Sequence, residues 1–130
     1  MPYTPTVITE LSLIGVADPG VANQERVLLR PMEAVGLAGF GIAVGVPRQD
    51  GRGVLAFHDN VFWFPEVFVG APSWVIVFTG NGTPTETTLP GGEHAHIFYW
   101  MRPYTIFQPP NLVPVLFRTG WIVAGPRIPA

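Results

Sequence analysis

The 130-residue sequence contains no cysteine and no lysine, and all seven of its basic residues are arginines. Without cysteine there is no thiol nucleophile, disulfide framework, zinc ribbon or iron–sulfur site. Without lysine, Schiff-base chemistry and the phosphate-binding P-loop are excluded. Serine occurs only as Ser12 and Ser73, neither in a G-x-S-x-G context nor beside a candidate base, so a serine hydrolase is not expected. The formal charge of -2 is small and the arginines (Arg26, Arg30, Arg48, Arg52, Arg102, Arg118, Arg127) are scattered. Nucleic-acid binding therefore lacks its electrostatic footprint. Apolar runs are interrupted well short of the roughly 18 residues a membrane helix needs, so no membrane span is expected. The opening Met-Pro-Tyr-Thr-Pro-Thr lacks a basic stretch followed by an apolar one, so no cleavable secretion signal is expected either, and nothing assigns a compartment.

What is present is apolar and aromatic. Hydrophobic residues make up 48% of the chain, with nine Phe, three Tyr and four Trp, which argues for a packed soluble domain rather than disorder. Its length suits one domain spanning residues 1–130. Fifteen Gly and fifteen Pro leave little room for long helices. Short segments rich in Val, Ile, Phe, Trp and Thr alternate with Gly, Pro, Asn and Asp, the pattern of an all-β chain. Strands are expected at about 6–14, 25–30, 40–46, 53–58, 61–64, 74–79, 95–101, 112–118 and 121–124. About eight short antiparallel strands make a sandwich or barrel. Helix is limited to a turn near Pro103–Phe107, because no helical periodicity survives twelve residues without Gly or Pro.

The punctuation is specific. Gly80-Asn81-Gly82 carries the residues of a tight hairpin, and Arg48-Gln49-Asp50-Gly51-Arg52 reads as a longer exposed one. Pro114 cannot donate to a ladder, so its strand belongs at an edge or a bulge. Residues 83–93, polar and rich in breakers, are expected to form the most mobile loop.

His94-Ala95-His96 is the sharpest chemical signal. In a strand, residues i and i+2 share a face, so both imidazoles can reach one metal ion, with His58, Asp59 or Glu93 completing the shell. Pro90-Gly91-Gly92-Glu93-His94-Ala95-His96 also resembles the first half of a cupin metal motif. No acidic residue follows it closely, however, and no second histidine motif follows downstream. The competing reading places both histidines as ordinary residues at the mouth of a strand. His58-Asp59 suggests a base with its carboxylate, but neighbours in an extended chain project to opposite faces. Paired carboxylates for glycoside hydrolysis need a shared cleft, and the nine acidic residues are dispersed in turns, where most should be solvated. Asn81-Gly82-Thr83 matches a glycosylation acceptor, though its turn role accounts for it. No cofactor is called for.

Phe62-Trp63-Phe64-Pro65, Trp74, Phe98-Tyr99-Trp100 and Trp121 form an aromatic set. Core filling explains much of it, yet an unbroken aromatic run in a strand must send side chains to both faces. Phe62, Trp63, Phe64, Tyr99 and Trp100 are therefore the candidate interaction surface.

The order Glu25-Arg26-Val27-Leu28-Leu29, Val35-Gly36-Leu37-Ala38-Gly39-Phe40-Gly41-Ile42, Phe62-Trp63-Phe64-Pro65 and Val69-Gly70-Ala71-Pro72-Ser73-Trp74-Val75-Ile76-Val77-Phe78-Thr79-Gly80 resembles the lamin tail domain family. That family runs from an E-x-V-x-L strand through v-x-L-x-G-(W/F)-x-(L/I) and f-x-F-P strands to l-x-p-G-x-x-(V/L)-x-V. The likeness covers about residues 23–80. The family's asparagine-rich turn is Pro31-Met32-Glu33-Ala34 here, and its late L-x-N-x-G-D is Phe107-Gln108-Pro109-Pro110-Asn111-Leu112. The resemblance implies an immunoglobulin-like β-sandwich serving as a non-catalytic interaction or scaffolding module. From the residues alone, Gly39 is suited to close backbone approach at a sheet corner. The expected role is a structural or protein-interaction module with a protein partner or in a homo-oligomer. The alternatives are a cupin-like barrel holding a metal or small ligand through His94 and His96, and a carbohydrate-binding module using Trp63, Trp74 or Trp100.

Overall fold

Apolar residues at alternate positions need one buried face each, and the chain meets this with two facing β-sheets. The computed structural model describes residues 7–51, 53–120 and 123–129, with the side chains of residues 55–59 outside the description. Among the described residues ten strands form in chain order: β1 (Leu11–Ala17), β2 (Arg26–Pro31), β3 (Val35–Gly36), β4 (Phe40–Pro47), β5 (Val54–Trp63), β6 (Phe68–Val69), β7 (Ser73–Phe78), β8 (Thr85–Thr88), β9 (His94–Tyr99) and β10 (Val113–Arg118). They assemble as a five-stranded sheet, β1-β2-β7-β9-β8, a three-stranded sheet, β10-β4-β5, and a short β3-β6 ladder. The architecture is all-β, and no helix occurs among the described residues. The strands form separate sheets rather than one closed barrel.

Strand parity sets the core. Val27 and Leu29 of β2, Val75 and Val77 of β7 and Phe98 of β9 point inward from the larger sheet. Phe40, Ile42 and Val44 of β4 meet them from the smaller one in a single cluster. The ring of Phe98 lies 5.5 Å from that of Phe64, which follows β5, with the planes near perpendicular. Fully burying one such side chain contributes about 1.5–3 kcal/mol, so this layer supplies the main cohesion.

Several turn and edge expectations hold. Pro114 lies in β10, an edge strand paired on one side with β4. Gly39 adopts φ of +87°, which a residue with a Cβ rarely tolerates, at the point where the chain leaves β3 and its β6 partner and enters the three-stranded sheet as β4. The 48–52 hairpin joins β4 to β5, closed by Arg48 N–H donating to the Gly53 carbonyl at 2.9 Å. Arg52 lies outside the described residues.

Others are corrected. The strands expected at 53–58 and 61–64 are one strand, β5. Its register against β4 shifts where Ala43 faces Val61 and Val44 faces Phe57, which leaves residues 58–60 as the irregularity. The 80–82 turn makes no tight hairpin and neither glycine takes a left-handed conformation, because β7 pairs with β9 rather than with the next strand. That β7–β9 pair is parallel, where antiparallel strands were expected throughout. Residues 83–93, expected as a mobile loop, supply β8, which pairs antiparallel with β9. The turn of helix expected near 103–107 is irregular chain. Of the strand expected at 121–124, residues 121 and 122 lie outside the description, and 123 and 124 belong to no strand.

Glu25 is an exception to the expectation that most acids are solvated. It has the parity of Val27 and Leu29 and is 1% exposed. Its Oε1 accepts from the Ile106 N–H at 2.6 Å and from the Thr79 hydroxyl at 2.9 Å. Its Oε2 accepts from the Gly20 N–H at 2.7 Å and from the Phe107 N–H at 3.0 Å. The β9–β10 connection has no regular structure, so its backbone donors need partners from elsewhere, and this carboxyl group provides them. Glu25→Ala strands two buried N–H donors, of Ile106 and Phe107, and the part-buried one of Gly20, at about 1–3 kcal/mol for each buried group. We expect urea unfolding to show a loss of about 3 kcal/mol or more, whereas a loss below about 1 kcal/mol would mean the loop is held otherwise.

Candidate functional site

In the β8–β9 ladder Glu86 faces His96, and Thr88 faces His94. His94 and His96 share the parity of inward-facing Phe98, with His94 at the very start of β9, beside the edge strand β8. His94 is accordingly exposed while His96 is buried. The Glu86 carboxyl sits between them. Its Oε2 is 3.2 Å from His94 Nε2 and its Oε1 is 3.3 Å from His96 Nδ1. The two imidazoles meet edge to face with centroids 4.9 Å apart, and one ligand atom from each of the three residues lies within 4.8 Å of the others.

The sequence therefore located the histidine pair but not its third member. Glu93, a candidate for that place, is bonded instead to Arg30 of β2. His58 and Asp59 lie in the β5 irregularity, and their side chains are outside the described ones. Glu86 was missed because its segment read as loop. A local signal existed in Thr85-Glu86-Thr87-Thr88, whose β-branched threonines favour a strand.

Loss of solvation on burial, with the nearby His94 adding to it, holds the His96 imidazole below its usual range despite the opposing pull of Glu86.

The aromatic candidates divide. Phe64 and Trp100 are buried and Phe62 packs against the core, so these three do not line a surface. Trp63 and Tyr99 do point outward, but from different sheets. Trp63, 55% exposed, stands edge-on to Phe117 at 5.1 Å. The two residues face Gly41 from either side in the ladder, and a Cβ at Gly41 would lie 2.4 Å from the Phe117 ring. Trp121 lies outside the described residues.

Tyr99 belongs to a larger feature, the outer face of the five-stranded sheet. Leu28, Trp74, Ile76, Phe78 and Ile97 line an open groove of about 670 Å³ there, rimmed by Asn23, Gln24 and Arg26. Phe78 stacks on Tyr99 at 5.5 Å. The guanidinium of Arg30 lies 4.4 Å over the Trp74 ring, and that of Arg26 lies 5.9 Å over Phe78. Both arginines are paired with acids, Arg30 with Glu93 and Arg26 with Asp18. The sequence carries a trace of this face. Val27-Leu28-Leu29 and Val75-Ile76-Val77-Phe78 are apolar at both parities, so each strand must offer a hydrophobic side to each face.

Compared with protein-family models, curated proteins and solved structures, the chain matches none.

A lowered folded-state value for His96 means the native state binds fewer protons than the unfolded chain in the interval below about 6.5. Stability is then unaffected above that pH and declines as pH falls through the folded value. Melting temperature in chelator, followed from pH 8 to 5, should fall less steeply in His96→Gln than in the parent. Equal slopes would assign the decline to other groups.

Proposed function

We propose that this chain is a non-enzymatic structural or protein-interaction module with an immunoglobulin-like sandwich, working in a homomeric assembly through the outer face of its five-stranded sheet. The observation that carries the reading is the groove over Leu28, Trp74, Ile76, Phe78 and Ile97. A sheet with both faces apolar normally has both covered. The inner face is covered by the β10-β4-β5 sheet; among the described residues no further strand covers the outer one, where Leu28, Trp74, Phe78 and Ile97 stay half-buried around a buried Ile76.

A second copy suits that face. An isologous contact requires a surface that complements itself, and this one carries both charges at its margins, Arg26 with Asp18 and Arg30 with Glu93. Docking onto a larger complex would use the same residues. The lamin tail resemblance is in keeping with this reading, since its motif positions Val27, Leu29, Val35, Leu37, Phe40, Ile42, Phe64, Val75 and Val77 are the buried ones. The carbohydrate-binding alternative has less support: Trp100 is buried and Trp74 is covered by Arg30, which leaves Trp63 as an open ring.

Sedimentation velocity across a wide concentration range tests the reading. The parent should associate, and Leu28→Glu or Ile97→Thr should remain folded by circular dichroism and shift to monomer. Trp63→Ala, on the other sheet, should associate as the parent does. A parent that stays monomeric at its highest attainable concentration would overturn the homomeric reading.

A further inference from the structure

The Glu86–His94–His96 cluster stands apart from the groove and has a chemistry the interaction reading does not use. We propose that these three side chains bind one divalent transition-metal ion of the zinc class, which fastens the edge strand β8 to β9. Two imidazole nitrogens and one carboxylate oxygen are a donor set typical of such ions, whereas calcium and magnesium favour oxygen ligands. The spacing is also suitable. A tetrahedral ion with bonds of about 2.0–2.1 Å holds its ligands about 3.3 Å apart. The nitrogen-to-oxygen separations here are 3.2 and 3.3 Å, one to each carboxylate oxygen, and one donor atom from each residue lies within 4.8 Å of the other two, so a small side-chain adjustment brings all three to one ion.

The donors are already positioned. His94 and His96 stand on β9, which is hydrogen-bonded on both sides, by β7 and β8, and Glu86 is directly across the ladder from His96. Little has to be ordered on binding, and exposed His94 leaves the ion open to water for its remaining coordination. Burial also favours the neutral imidazole of His96, the form that binds metal.

The placement indicates a structural role. Every residue of β8 is exposed, so apart from the Glu86 contacts to His94 and His96 this strand is held by its backbone ladder, with no core contact of its own. An ion bridging Glu86 to two residues of β9 supplies what β8 lacks and protects an otherwise open sheet edge.

The experiment uses the untagged chain, freed of metal by chelation and titrated with zinc chloride by calorimetry, with melting temperature and β8 amide exchange as further readouts. We expect one zinc per chain, a rise in melting temperature that saturates at one equivalent, and slowed exchange at residues 85–88. Glu86→Gln and His94→Asn, both at exposed positions, should each weaken binding about tenfold or more with unchanged circular dichroism. Calcium and magnesium should give no response. Absence of stoichiometric binding, or equal affinity in the Glu86→Gln/His94→Asn double variant, would overturn the proposal. Neither result bears on self-association, which the Leu28 and Ile97 variants report.

Discussion

A single buried carboxyl group holds together one end of this sandwich. Glu25 enters β2 on the inward parity, among residues that are otherwise apolar, and there it gathers donors from three other parts of the chain. The 18–20 turn, the end of β7 at Thr79 and the long β9–β10 connection all converge on it. Burying a polar group is costly unless its bonds are made, and burying loop N–H groups is costly for the same reason. Here each cost offsets the other. With the backbone of 106 and 107 fixed, the side chains of Ile106 and Phe107 can enter the core. Phe107 then lies against Trp100, their rings 6.2 Å apart, and that contact joins the loop to the aromatic layer between the sheets.

That arrangement frees the rest of β9 for other work. Its parallel pairing with β7 places Ile97 and Tyr99 on the outer face beside Ile76 and Phe78. Its antiparallel pairing with β8 places Glu86 between two histidines. The groove and the histidine cluster thus occupy opposite faces of one strand, through its two parities. A change that shifted the register of β9 by one residue would exchange these faces and disrupt both features.

What could be read from the sequence follows from how local each signal is. Pro114 marked an edge because a missing N–H constrains the ladder at that residue itself. Gly39 marked a corner because backbone freedom belongs to one position. Parity within a strand required the aromatic runs 62–64 and 98–100 to send side chains to both faces but did not say which, and of the five candidates Trp63 and Tyr99 alone point outward. The insertion of β9 between β7 and β8 left no such mark, since it depends on partners about twenty residues apart, and the glycines at 80 and 82 suggested a hairpin instead. Glu86 was hidden by the same error. Glu25 could have been found: a glutamate two residues before Val27 and four before Leu29 shares their face, and parity alone would have placed it inside.

Glu25 holds the loops at this end of the sandwich, and amide hydrogen exchange reads this residue by residue. The Gly20, Ile106 and Phe107 N–H groups lie outside every strand, so ordinary loop behaviour would let them exchange rapidly. If the carboxyl group binds them as described, their protection should match that of the β2 and β7 core amides and be lost only on global unfolding. Exchange at the rate of open loops in the native protein would contradict the account.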